Sequence, residues 1–303
     1  MGGGKEVRNI GVAVLGEAFE ALLLVLLCTL LLFVIAFFGT TDEQKEELGL
    51  NEYPGVLSAY TDWCGAILHG EWAWSSGNSE DFYTTELKPA TAFTLVIVSV
   101  ALVVSLLIAL CCSLWIVHHS KAVSSFILEK LLYFSGAVPV FIIAIMFYEL
   151  LKHDANTFIV DSKRTFIGNV PAFIVAGCVL GIGSGVAGEL TKVFRHELGR
   201  ILSEPYILAS RARKAKVWQH VLRASVIPLS STLLAKLPFF IGAGIIVERV
   251  FGMKGLGYMI IQNALKSHFA EMMAITLIIV VLVALTRVVN KIIVVTFDPR
   301  QEG

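Results

Sequence analysis

Three ionisable side chains stand where charge is costly. Lys236 lies eight residues into an apolar run at 229–249, and Glu248 and Arg249 close the far end of that run. Ionisable groups inside a membrane are functional candidates by default. The Lys236 ammonium can meet a substrate carboxylate, or its long stem can snorkel the charge to the cytoplasmic headgroups. Glu248 and Arg249 read as a gate or as an interfacial structural pair. Glu149, Glu189 and Arg287 fall near the ends of apolar runs and read as interfacial, while Glu17 and Glu20 mark where the first run enters the membrane.

Other residues have reactive chemistry but the wrong spacing. Cys111 and Cys112 stand close to His118 and His119. Adjacent helical residues point about 100° apart, and no C-x₂-C spacing accompanies them, so no metal site is expected. No H-E-x-x-H occurs, which leaves no support for an intramembrane metalloenzyme. Gly183-Ser184-Gly185-Val186-Ala187-Gly188 matches G-x-G-x-x-G in form. That motif needs a preceding strand and a phosphate at a helix start, whereas here it sits inside an apolar run. Gly177, Gly181 and Gly185 instead form a small-xxx-small ladder for close helix packing, and Gly242 and Gly244 read the same way. No G-x-x-x-x-G-K-[ST] loop is present, so ATP is not expected to bind this chain in the usual manner.

The elements that must hold these residues are membrane helices. Of 303 residues, 56% are hydrophobic and only 16% charged, against about a quarter charged in soluble domains. Runs long enough to cross roughly 30 Å of hydrocarbon occur at 18–38, 92–117, 133–151, 168–190, 229–249 and 271–296. The expected fold is an all-α polytopic membrane protein of about six transmembrane helices, forming a single domain over 1–303. Pro139 near the start of the third run makes its boundaries the least defined. The first run is too long for a signal-peptide core and no small-residue cleavage site follows it, so a cleaved leader is not expected. Cys64 is the one cysteine outside the runs, and no disulfide framework follows.

Charge orients the helices. Residues 39–90 carry ten acids against Lys45 and Lys88, while residues 191–227 carry eight bases against Glu197 and Glu204. The excess of Lys and Arg places 191–228 in the cytoplasm, and six spans then put both termini there too. Lys152, Lys163 and Arg164 go outside against this trend. The extracytoplasmic segment 39–90 is too long for a mere connector. Its Tyr53, Tyr60, Trp63, Trp72, Trp74 and Tyr83 read either as an interfacial aromatic belt or as a folded cap that meets an external partner.

The segment 203–228, SEPYILASRARKAKVWQHVLRASVIP, is polar, basic and helix-prone. Pro205 suits a first helical turn with Ser203 or Glu204 as its cap. A second helical stretch, Val217–Arg223, is expected to run to Pro228, where the next span begins. Charge alone is equally consistent with a solvated loop that only fixes topology.

Sequence motifs narrow the choice. Ala209-Ser210-Arg211-Ala212-Arg213, followed by a basic–aromatic stretch and Pro228, resembles the EAA loop of ATP-binding-cassette importer permeases. Ile241-Gly242-Ala243-Gly244-Ile245-Ile246-Val247-Glu248-Arg249-Val250-Phe251 with Gly255-Leu256-Gly257 is similar to a stretch of the dipeptide/oligopeptide/nickel permease subfamily, as are Tyr60…Trp63 with Leu68-His69-Gly70-Glu71 and the tail Phe297-Asp298-Pro299-Arg300. The resemblance covers most of 50–303. Lys214 stands where the family has glycine, Met253-Lys254 where a proline is usual, and Gly39-Thr40-Thr41 where Pro-Gly-Asp-Pro is common.

The resemblance implies a type I importer permease fold in a bacterial cytoplasmic membrane, with no enzymatic activity in this chain. It implies transport of oligopeptides or dipeptides, with nickel or another small solute as the alternative within the family. It further implies an ATPase-coupling site at Tyr206, Ala209, Ser210, Arg211, Ala212, Arg213 and Lys214, and Lys236 and Glu248 are candidates for the translocation path. ATP and magnesium would then be held by partner subunits. The implied partners are a paralogous second permease, two ATPases, an extracytoplasmic binding protein and membrane lipid, with no nucleic acid. An ion-coupled secondary transporter is the competing class. It favours mid-span acid pairs and an inverted repeat, and the sequence has neither.

Overall fold

The computed structural model describes residues 3–41, 45–46, 50–72, 81–119, 122–152, 167–213 and 217–297, and the regular elements among them are all helical. We number them α1 (Gly3–Gly39), α2 (Val56–Leu68), α3 (Lys88–His118), α4 (Val123–Ala137), α5 (Val140–Lys152), α6 (Val170–Gly183), α7 (Val186–Leu202), α8 (Pro205–Ala212), α9 (Val217–Ala235), α10 (Leu237–Val250), α11 (Leu256–Lys266) and α12 (Phe269–Phe297). Four helical stretches are long and apolar enough to span a membrane, and two bent helix pairs bring the number to six. The terminal Asp298-Pro299-Arg300, Trp74, Lys163 and Arg164 lie outside the described residues.

α1 is apolar all round, and Leu15, Phe19, Leu22 and Leu27 stay exposed along it, as suits a helix facing lipid. Glu17 and Glu20 lie within this helix, next to the start of the apolar run at residue 18. α2 lies on the outer end of α1 and α12, where Phe33, Tyr60, Trp63 and Phe269 share one buried cluster. The Phe33 ring meets Tyr60 at 5.5 Å and Phe269 at 5.4 Å, both edge-on. Thr29 Oγ1 lies 2.8 Å from the Tyr60 hydroxyl, and burial pushes the pKa of that hydroxyl up. Tyr60 and Trp63 are thus internal anchors, not belt residues.

Two expected spans are broken. The third run bends by 95° between α4 and α5, at Val138 and Pro139. Proline disfavours helical geometry in the residue before it, and Val138 is extended, with ψ 124°. The straight part, α5, has 13 residues, roughly 20 Å at 1.5 Å per residue. The fourth run bends by 58° between α6 and α7. There Gly185 takes φ +75° and a Cβ on it would lie 2.6 Å from the Gly136 Cα. A left-handed φ costs other residues about 1–2 kcal/mol, so this corner between α4 and α7 requires glycine twice over.

Pro228 opens the fifth apolar span, Pro228–Val250, as expected, but no helix starts there: it lies inside α9, which continues from the basic segment into that span. The helix is interrupted instead at Lys236, the N-cap of α10. A proline lacks the N–H that would reach the carbonyl four residues back, a loss that membrane helices tolerate; one turn on, Thr232 Oγ1 donates to the Pro228 carbonyl at 2.7 Å.

The core gathers α3, α6, α7 and α10 around Ile97, Ala101, Phe173, Leu180, Phe194 and Phe240. Lipid tails are as apolar as leucine, so close contact rather than water exclusion drives such packing. A Cβ on Gly177 would stand 2.5 Å from Val100 Cβ, and one on Gly181 would stand 2.8 Å from the Ala101 carbonyl oxygen. Ser105 Oγ donates to the Gly181 carbonyl at 2.9 Å across this contact. The ladder reading holds for Gly177, Gly181 and Gly185. It does not extend to Gly242, which faces open space, or to Gly244, which makes only an ordinary 3.8 Å contact with Leu180.

Candidate functional site

On the orientation that the charge pattern implies, three sites follow one another from the outer face inward. At the outer end, Glu248 is 1% exposed. Its carboxylate accepts from Thr94 Oγ1 at 2.6 Å and from the Tyr258 backbone N–H at 3.1 Å, and Thr94 Oγ1 in turn accepts from the Leu256 N–H at 2.9 Å. These N–H groups belong to the first turn of α11, which lacks intrahelical acceptors and carries the positive end of the helix dipole. Glu248 therefore caps α11 with its side chain, and it clasps α10, α11 and α3 together. A Cβ on Gly255 would lie 2.3 Å from the carboxylate, and one on Gly257 would lie 2.5 Å from the Ile245 Cα. The Glu-x-x-Phe…Gly-Leu-Gly stretch is thus one interlocking joint. Glu248 and Arg249 do not form the interfacial pair considered above: the Arg249 guanidinium sits 5.1 Å from the Tyr258 ring centroid.

In the middle of the protein, Lys236 Nζ hydrogen-bonds Glu189 Oε2 as an ion pair. Glu189 lies in the first turn of α7, just past the bend at Gly185. The pair thus links two helix interruptions, one in the fourth span and one in the fifth. The two side chains are 30% and 61% exposed, so the pair is solvated enough to add little stability. Its place at two breaks makes it more notable as a polar point on the inner surface of the spans.

At the inner end, α8 projects from the junction of α7 and α9. Ile207 is fully buried against Leu198, Ile201 and Val221, with Val117 at the edge. Tyr206 is 49% exposed, and Ala209 and Arg213 are exposed. Arg213 Nε donates to the Ala209 carbonyl at 3.4 Å. Ser210, Arg211 and Ala212 have helical backbone, but their side chains, and Lys214 entirely, lie outside the described residues. Ser203 does not cap α8; its hydroxyl donates to the Arg200 carbonyl at 2.7 Å and so serves the end of α7. The result is a short helix fixed on one face and open on the other.

Of the loop positions, Tyr206, Ala209, Ser210, Arg211 and Ala212 lie in α8 and Arg213 follows it directly, while Lys236 and Glu248 belong to separate places at the start and end of α10. Sequence reasoning missed Thr94, Glu189 as the partner of Lys236, and Ile207 as the anchor. Ile207 had a signal, being a large apolar residue in a polar segment. Thr94 had none that separates it from Ser99, Ser105 and Ser113 on the same helix.

The sequence pattern of the family described as "binding-protein-dependent transport system inner membrane component" matches residues 101–303. The chain is 23% identical over 271 residues to the oligopeptide transport system permease protein AppB of Bacillus subtilis, covering 86% of this chain and 84% of that protein. It is 25% identical over 168 residues to the dipeptide transport system permease protein DppB of Lactococcus lactis, covering 54% of each. It is 23% identical over 264 residues to the nickel import system permease protein NikB of Staphylococcus aureus, covering 86% of this chain and 76% of that protein.

Proposed function

The chain belongs to the binding-protein-dependent transport system inner membrane component family, and from that premise we propose that it forms half of a translocation path for oligopeptides or dipeptides. It is an inner-membrane permease subunit of the peptide/nickel branch, a transport component and not an enzyme. In this reading it pairs with a paralogous permease, receives solute from an extracytoplasmic binding protein and works with two ATPase subunits that hold ATP and magnesium. The spans adopt the type I importer arrangement with both termini in the cytoplasm.

The single observation that carries the mechanism is the form of α8. Ile207 fixes it to α7 and α9, while Tyr206 and Ala209 face outward. A helix held on one side and open on the other can seat in a cleft of an ATPase and pass that subunit's movement to the spans behind it. Work done elsewhere reaches a membrane path only through an element with two states that the partner binds unequally. The bends at Val138–Pro139 and Ser184–Gly185 divide two spans into segments that can turn about a corner. Lys236 and Glu189 then mark a polar point that a solute passes.

Ala209→Glu and Arg213→Glu, in the complete complex in vesicles, test this reading. Both are expected to cut peptide uptake about tenfold or more while the ATPase subunits still hydrolyse ATP. Unimpaired uptake in both variants would rule out docking through this face. Uptake of nickel but not peptide by the wild-type complex would assign the cargo to the other branch.

A further inference from the structure

Beside the Glu248 joint, a cleft of about 350 Å³ opens between the outer end of α3 and α11. Glu86, Pro89 and Phe93 line one wall, and Tyr258, Gln262 and Lys266 line the other. Both sets follow helical spacing, so each wall is a single stripe of its helix. α11 is tied by its first turn to Thr94; Lys254, just before that turn, and Lys266, in the last turn of α11, both line the cleft, as does Glu86. The order of these residues along the chain puts Lys254 towards one end and Lys266 with Glu86 towards the other. Charges are therefore distributed along the cleft, cationic at one end and mixed at the other, with aromatic surface between them.

This distribution matches a particular kind of solute. From Tyr258 to Lys266 is eight residues of helix, roughly 12 Å at 1.5 Å per residue. An extended peptide advances about 3.3 Å per residue, so three to four residues span the cleft. The volume falls within the usual range for small-ligand sites, about 300–1,000 Å³, and the lining is rich in polar side chains. Lys254 suits a carboxylate at one end, and Glu86 suits an ammonium at the other.

Resting on the peptide reading above, we propose that this cleft is the outer receiving site of the permease and recognises the free ends of a short peptide, the carboxylate at Lys254 and the ammonium at Glu86. Phe93 and Tyr258 then give side chains of any type an apolar surface. Arg249, stacked on Tyr258, adds positive charge behind the carboxylate end.

The test uses the complete complex in vesicles and three probes: tri-alanine, its C-terminal amide and its N-acetyl form. The binding protein is the same throughout, so a change in preference between wild type and variant reports the permease. Lys254→Gln should lower the preference for tri-alanine over its amide about fivefold and leave the preference over the N-acetyl form unchanged. Glu86→Gln should do the reverse, and Lys254→Glu should favour the amide over the free acid. Lys130→Gln on α4 should alter neither ratio. If Lys254→Gln, Lys254→Glu and Glu86→Gln all transport tri-alanine with wild-type preferences, the cleft does not read peptide ends. If the wild-type complex takes up none of the three peptides, the peptide reading itself fails and this inference falls with it.

Discussion

The Glu248 joint shows what single residues contribute. Thr94 and two backbone N–H groups of α11 converge with the carboxylate in a buried corner. Removing one partner of a buried hydrogen bond leaves the others unsatisfied, at about 1–3 kcal/mol. Glu248→Ala is expected to lower the stability of the purified complex by about that amount, read as a fall in its thermal midpoint, and Gly255→Ala to lower it too by pushing the carboxylate aside. Thr94→Val combined with Glu248→Ala should cost less than the two single changes added together, because all three groups form one network. Additive losses would mean that the clasp does not act as a unit. Glu248 was legible as a candidate because a charge in an apolar run is conspicuous. Its role was not, since its partner Thr94 lies 154 residues away in sequence and nothing local connects them.

At the scale of elements, four of the six apolar runs coincide with helices long enough to cross a membrane and the third and fourth fall on bent helix pairs, and the charge pattern set their expected direction. Length and hydropathy act locally, which is why they could be read. The corners were harder. Pro139 marked a true break, yet Pro228 did not, because a helix end depends on whether nearby groups can replace the lost backbone bond. The left-handed turn at Gly185 was hidden among glycines with a plain packing role, and only contact with Gly136 distinguishes it. α8 was legible as a helix, but not as an anchored one. Burying Ile207 holds it, and Ile→Ala in a packed site costs about 2–5 kcal/mol. Ile207→Ala should therefore speed hydrogen exchange across 205–212 and lower uptake, while insertion and ATP hydrolysis persist. Unchanged exchange in α8 would show that the anchor lies elsewhere.

Taken whole, the protein has four helices, or six with each bent pair taken as one span, that are long and apolar enough to cross a membrane, and on the orientation its charges imply its two ends are differently equipped. The outer end carries the acidic segment, the α2 cap held by Phe33, Tyr60 and Trp63, and the cleft along α11. The inner end carries the basic loop and the projecting α8. The central claim is that α8 is the point where force enters. It is tested most directly by placing a photo-cross-linking residue at Ala209, or at Tyr206, in the assembled complex, with Leu131 on the exposed face of α4 as the control. Capture of an ATPase subunit from Ala209 and Tyr206 but not from Leu131, with a yield that changes when ATP is added, is the expected result. Intact uptake with no ATPase captured from either α8 position would contradict the account.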